Sequence, residues 1–165
     1  MKYIALCLSM LLLFTACKKE NNGTTVVTRT FVSFKLDGVI YICDSTKSVS
    51  LNQNNDQTLS IIASSQYGDI VTLNLQSPTT QFLPGTYLNT NSNEFKIITV
   101  PYYRTFGANA NAGNFHYTII KSKNTEIEAT FSGTVEDFQT GSPAVVKDGF
   151  FRVYFETVAG NLNEL

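Results

Sequence analysis

The chain is 165 residues long and carries 12 Lys and Arg against 13 Asp and Glu, a formal net charge of −1. With no basic excess to neutralise phosphates, that balance argues against nucleic acid as a partner. Charged residues make up only 15% of the chain, so solubility rests on Asn, Ser, Thr and Gln, a composition common in extracellular β-domains.

Residues 1–16 have the layout of a secretory signal peptide: Lys2 is the positive start, Tyr3 to Phe14 an apolar run, and Thr15-Ala16 a small pair before Cys17. The apolar run is shorter than the roughly 20 residues a helix needs to cross a bilayer core, so it is expected to be an address removed after use. Phe14-Thr15-Ala16-Cys17 resembles the lipobox of bacterial lipoproteins, with Phe where Leu is usual. The resemblance implies that Cys17 receives a diacylglyceryl group and becomes the mature N-terminus, anchoring the protein to the outer membrane on its periplasmic or surface face. Each buried methylene contributes about 0.8 kcal/mol, so two or more palmitate-like chains would make attachment effectively permanent. Lys18-Lys19-Glu20 is similar to the charged tag that follows the cysteine in Bacteroidota lipoproteins, some of which reach the cell surface.

Removing residues 1–16 from the 165 leaves 149, the size of one domain, and loss of Lys2 brings the net charge to −2. Cys7 leaves with the signal and Cys17 goes to lipid. Cys43 is then alone, so no internal disulfide or cysteine metal site is expected, and its expected place is inside a strand as a small apolar side chain. Residues 17–29 form the lipidated cysteine and a polar tether, of which Lys18 to Thr25 could stretch about 25 Å. A β-domain is expected over residues 30–158, with a tail over 159–165.

Within the domain, Val32, Phe34 and Leu36 alternate with Phe31, Ser33 and Lys35, the period of two that marks a strand. Asp37-Gly38 tolerates the positive φ of a type I′ turn, which makes Val39 to Cys43 the partner strand of a hairpin. Ser48 to Asn52 is a short strand, Asn52 to Gln57 a polar turn, and Thr58 to Ser64 a strand whose run Leu59-Ser60-Ile61-Ile62 predicts burial on both faces. After a turn at Tyr67-Gly68-Asp69, Val71, Leu73 and Leu75 alternate with Thr72, Asn74 and Gln76 up to the break at Pro78. Phe82 to Tyr87 turns into a short strand, and Glu94 to Val100 is another, stopped by Pro101. Tyr102 to Asn114 is rich in Gly and Asn and is predicted to be one long irregular loop. Phe115 to Ile120 and Glu126 to Gly133 alternate across a polar turn at Ser122 to Thr125. Gln139 to Pro143 is a loop, Ala144 to Lys147 a short strand, Asp148-Gly149 a turn, and Phe150 to Glu156 the closing strand.

No apolar period of 3.6 persists long enough for a helix. Nine or ten strands with short turns and no crossover helices predict an all-β fold, an antiparallel β-sandwich first and a lipocalin-like β-barrel as the alternative. The segments FVSFKLDGVIY, LPGTY, EIEATFSGTV and DGFFRVYF, spread from Phe31 to Phe155, together resemble a family of small Bacteroidota lipoproteins. That resemblance implies an all-β domain of no assigned function on a lipid tether and carries across no catalytic residue.

Several constellations carry potential chemistry. Glu126 and Glu128 lie on one face of a strand with Cα atoms about 6.8 Å apart, near the carboxylate spacing of inverting glycosidases, although any solvent face produces such a pair. His116 is the single histidine and would need an orienting partner to act as a base. Asn52, Asn54 and Asp56 begin like a calcium loop, but Gln57 replaces the turn glycine and Ala63 the bidentate glutamate, which rules the loop out. No nucleotide, zinc-protease or serine-hydrolase fingerprint occurs, and neither a cofactor nor a catalytic residue is assigned. The candidate binding residues are Tyr102, Tyr103, Arg104 and Phe106, flat rings beside a forked donor, suited to a sugar or a protein surface. The expected function is a non-catalytic binding or accessory lipoprotein. The alternatives are a lipocalin-like carrier of a small apolar ligand, which requires an unfilled interior, and a glycan-acting enzyme using Glu126 or Glu128.

Overall fold

The computed structural model describes residues 30–52, 57–79, 81–100, 102–123 and 126–154. The signal segment, Cys17, the tether, most of the Asn52 to Gln57 turn and the tail over 159–165 lie outside the described residues.

Every described element is a strand: β1 (Phe31–Leu36), β2 (Val39–Cys43), β3 (Ser45–Asn52), β4 (Thr58–Ser64), β5 (Ile70–Gln76), β6 (Gly85–Leu88), β7 (Glu94–Ile98), β8 (Thr105–Ala108), β9 (Asn114–Lys123), β10 (Glu126–Asp137) and β11 (Pro143–Tyr154). All pairings are antiparallel and belong to a single sheet, in the order β2-β1-β11-β10-β8-β7-β5-β4-β3. β9 pairs with β10 ahead of the point where β8 takes over, and carries β6 on its other edge.

The two ends of that order are consecutive in sequence, since β2 runs through Asp44 into β3. The sheet therefore curls round on itself. The seam is closed by Gln66, at the turn between β4 and β5. Its backbone N–H donates to Ile42 O at 3.0 Å, its Oε1 accepts from Ile42 N at 2.6 Å, and its Nε2 donates to Ile40 O at 2.7 Å. A primary amide has the same donor and acceptor as a peptide group, so it stands in for a neighbouring strand on the β2 edge. The all-β antiparallel expectation holds, and of the two architectures the nearly closed barrel describes the sheet. Two facing sheets would need separate ladders, and the strands form one.

Inward-facing side chains follow the predicted alternation. Val32, Phe34 and Leu36 of β1, Val71, Leu73 and Leu75 of β5, Phe115, Tyr117 and Ile119 of β9, and Ile127, Ala129 and Phe131 of β10 are all buried. Phe131 sits at the centre. Its ring lies 5.8 to 6.4 Å from those of Phe34, Phe95, Phe115, Tyr117 and Phe151. Such spacing is that of packed aromatic rings, so the interior is filled by the protein's own side chains.

The first hairpin is as predicted: Asp37 and Gly38 have φ of 47° and 84°, the two positive values of a type I′ turn. Asp37 also ties the turn to β11, donating its N–H to Val145 O at 2.9 Å and accepting from Val145 N at 2.8 Å.

Three local expectations are corrected. β4 is buried on one face only, at Leu59, Ile61 and Ala63, while Ile62 is half-buried on the outer side with Ser60 and Ser64. Asp148-Gly149 is a bulge, not a turn, and the predicted short strand and closing strand are one, β11. Register slips there against both β1 and β10, and Asp148 has φ of 52°. The extra residue shifts the alternation so that Val146 and Phe151, an odd number apart, both face inward. Gly149 is needed because a Cβ would collide with the ring and carbonyl of Phe131. The third correction concerns Tyr102 to Asn114. It contains β8, whose Gly107 and Ala108 are buried, and a tight turn closed by the Asn109–Ala112 bridge. Side chains this small leave no hydrophobic period to read, yet they let β8 pack between β7 and β10.

Candidate functional site

The predicted binding residues fall at one end of the barrel, where the segment between β7 and β8 meets the turn after β10. Phe138 N donates to Thr105 O at 2.8 Å and Gln139 Nε2 to Tyr103 O at 3.4 Å, so the two segments form one tip. Tyr102 and Tyr103 are 79% and 70% exposed, far beyond the usual burial of large rings, and Phe138 and Val100 beside them are also exposed. Tyr103 has φ of 50°, a left-handed conformation that costs a non-glycine residue about 1–2 kcal/mol.

Arg104 and Phe106 also hold the tip in place. Arg104 Nε donates to Asp137 Oδ2 at 2.9 Å and Nη2 binds the same oxygen, while the guanidinium lies 4.8 Å from the centroid of Phe106. Phe106 packs against the core. Asp137 is buried and accepts from Gln139 N at 2.9 Å through Oδ1. The Gln139 N–H, then Arg104, hold its carboxyl below the usual carboxylate range. Of the four predicted residues, Tyr102 and Tyr103 are the most exposed, Arg104 is tied to Asp137 with its side chain still 44% exposed, and Phe106 packs inward.

Glu126 and Glu128 share a face of β10, as alternation requires, and lie between Lys121 of β9 and Arg152 of β11. Lys121 Nζ contacts both carboxylates, and Arg152 Nε lies 2.9 Å from Glu128 and 3.6 Å from Glu126. Lys121 is the main cause that lowers the Glu126 pKa. These carboxylates form a four-membered charge network on the outer face, with both cations in contact. His116, half-buried on β9, has Nε2 3.4 Å from Ser132 Oγ, and no carboxylate orients it among its hydrogen bonds with described residues. Cys43 is a free, buried thiol, and burial is the main cause pushing its pKa up to about 12, so it is not a nucleophile at neutral pH. No group of three or more His, Cys, Asp and Glu able to hold a metal occurs among the described residues.

A concave feature lies apart from that tip. A groove of about 650 Å³ runs beside β6, between that strand and the end of β5, walled by Gln76, Thr79, Leu83, Thr86, Leu88 and Asn93 among others. The segment LPGTY announces a turn entering a short strand. It gives no sign that the strand's outer edge is left open, because edge status depends on which strands the fold brings alongside.

Comparison with protein-family models, curated proteins and solved structures found no match to this chain.

Proposed function

We propose that the chain is an outer-membrane lipoprotein, held by acyl chains on Cys17, whose β-domain is a non-catalytic binding or accessory module facing the periplasm or the exterior. The observation that carries this reading is the polarity of the domain. Thr30, the first described residue on the Cys17 side, accepts from Tyr154 N, and Tyr154 pairs with Glu126 at the start of β10. The aromatic tip is fastened to Asp137 at the other end of that strand, roughly 36 Å along it. A domain anchored through Cys17 would hold Tyr102 and Tyr103 away from the lipid, and the strained backbone at Tyr103 is a feature that clusters at ligand sites.

The packed aromatic interior speaks against the carrier alternative, which needs empty apolar space inside the barrel. The Lys121 and Arg152 contacts speak against catalysis by Glu126 and Glu128, since a general acid needs a raised pKa and Glu126 is lowered. A flat ring pair binds sugars or protein surfaces by stacking and burial. The test is the double variant Tyr102→Ala/Tyr103→Ala of the full chain, compared with the parent on glycan arrays and in pull-downs from envelope extracts. Partners captured by the parent should be lost; a variant that retains all of them contradicts the reading.

A further inference from the structure

The groove beside β6 has the form of a vacant strand position. Asn89 N donates to Phe115 O at 2.9 Å, continuing the β6–β9 register and fixing its phase: Gly85 and Tyr87 face β9, whereas Thr86 and Leu88 turn their backbone groups outward. On that outward edge, Leu88 O accepts from Asn93 Nδ2 at 2.9 Å, and Asn93 Oδ1 accepts from Gln76 N at 2.7 Å. One side-chain amide thus spans from β6 to β5 where a strand's peptide group would sit. Beyond it, the N–H and C=O of Thr86 and the N–H of Leu88 have no hydrogen-bond partner among the described residues. Tyr87 is pinned, its hydroxyl donating to Leu83 O at 2.9 Å and accepting from Leu83 N at 3.1 Å, which fixes the Leu83 wall.

We propose that this groove binds an extended, uncharged segment of another polypeptide, which adds to β6 as a strand. Three features select that occupant. The unpaired donors and acceptor of Thr86 and Leu88 repeat at the two-residue spacing of a ladder, the arrangement that strand addition satisfies. Among the described residues no charged side chain lines the groove, so a charged segment would lose hydration without a counter-charge. Leu83 and Leu88, 53% and 63% exposed, offer contact to the alternate side chains of an added strand. The site deepens the reading of the chain as a binding module but is separate from the Tyr102–Tyr103 tip.

The test uses the full acylated chain in detergent and a short peptide of alternating threonine and valine, acetylated and amidated, with amide exchange followed by NMR. The peptide should slow exchange at Thr86 and Leu88 by about ten-fold or more, the size of one hydrogen bond to an otherwise free donor. The same peptide N-methylated at alternate residues should have no effect, and Thr86→Pro, which removes the edge donor, should weaken binding. Where Thr86→Pro does not fold, the N-methylated peptide makes the same test from the ligand side. Equal binding of both peptides overturns the proposal, as does no change at millimolar peptide, or protection by a neutral oligosaccharide but not by the peptide. Tyr102→Ala/Tyr103→Ala should leave these amides unchanged, which separates failure here from failure of the tip.

Discussion

Arg104 and Asp137 lie thirty-three positions apart in sequence, yet the guanidinium of one binds the buried carboxylate of the other through two nitrogens. This pair joins the approach to β8 to the end of β10 and fixes the segment that carries Tyr102 and Tyr103. Arg104→Ala leaves a buried carboxylate without its cation, which is more damaging than losing an exposed pair. The variant should melt several degrees lower, and hydrogen exchange should rise first over residues 102–106 and 137–140. A melt unchanged from the parent would show that the pair does not hold the tip.

The same pair sets a dependence on pH. Asp137, Glu126 and Asp148 have folded pKa values below their ordinary ones, through the Gln139 N–H and Arg104, Lys121, and Lys35 respectively. A carboxylate with a depressed folded pKa adds stability that is complete above its unfolded value, about 4, and is lost as pH falls through the folded value. Urea midpoints should be level from pH 7 to about 5 as far as these groups are concerned, then fall toward pH 3. Asp137→Asn should start lower at pH 7 and fall less steeply.

Among the described residues, Phe131 packs against five other rings in the barrel interior. Its truncation to Ala removes the central ring and leaves a void that β-strands cannot readily collapse around. The expected loss is about 3–5 kcal/mol in denaturant unfolding, with far-UV circular dichroism unchanged while the chain remains folded. A loss below about 1 kcal/mol would mean that the interior is loosely filled, and the carrier alternative would regain support.

Gln66 covers the β2 edge, where Val39, Ile40 and Ile42 are exposed. Gln66→Ala removes both side-chain bonds and opens an apolar strand edge, the form that recruits other chains. Amide exchange at Ile42 should accelerate, and light scattering at high concentration should show association absent from the parent. If Ile42 stays as protected as before, the side chain is not what closes the seam.

Much of this fold is legible in the chain, and the limits have physical causes. Strict alternation in β1, β5, β9 and β10 identifies their buried faces because a half-buried strand has no other period. The Asp37-Gly38 turn is visible because few residue pairs accept two positive φ values. β8 escapes detection: its buried residues, Gly107 and Ala108, are small, and their burial comes from neighbours remote in sequence. The bulge at Asp148 looks like a turn because both interrupt alternation in the same place. The exposed Tyr102 and Tyr103 are recognisable as a candidate surface from composition, but Arg104 is bound to Asp137, and pairing across thirty-three residues leaves no local trace. The open edge of β6 is less visible still, being a property of the sheet order and not of Gly85 to Leu88.

The central claim is that this barrel is displayed from a membrane through Cys17, and mass spectrometry of the N-terminal peptide from protein made in its native envelope tests it most directly. The account predicts a chain beginning at Cys17 with the mass of a diacylglyceryl group, with or without a further acyl chain. A chain that retains residues 1–16, or one that begins elsewhere with an unmodified cysteine and is recovered free of membranes, would contradict it.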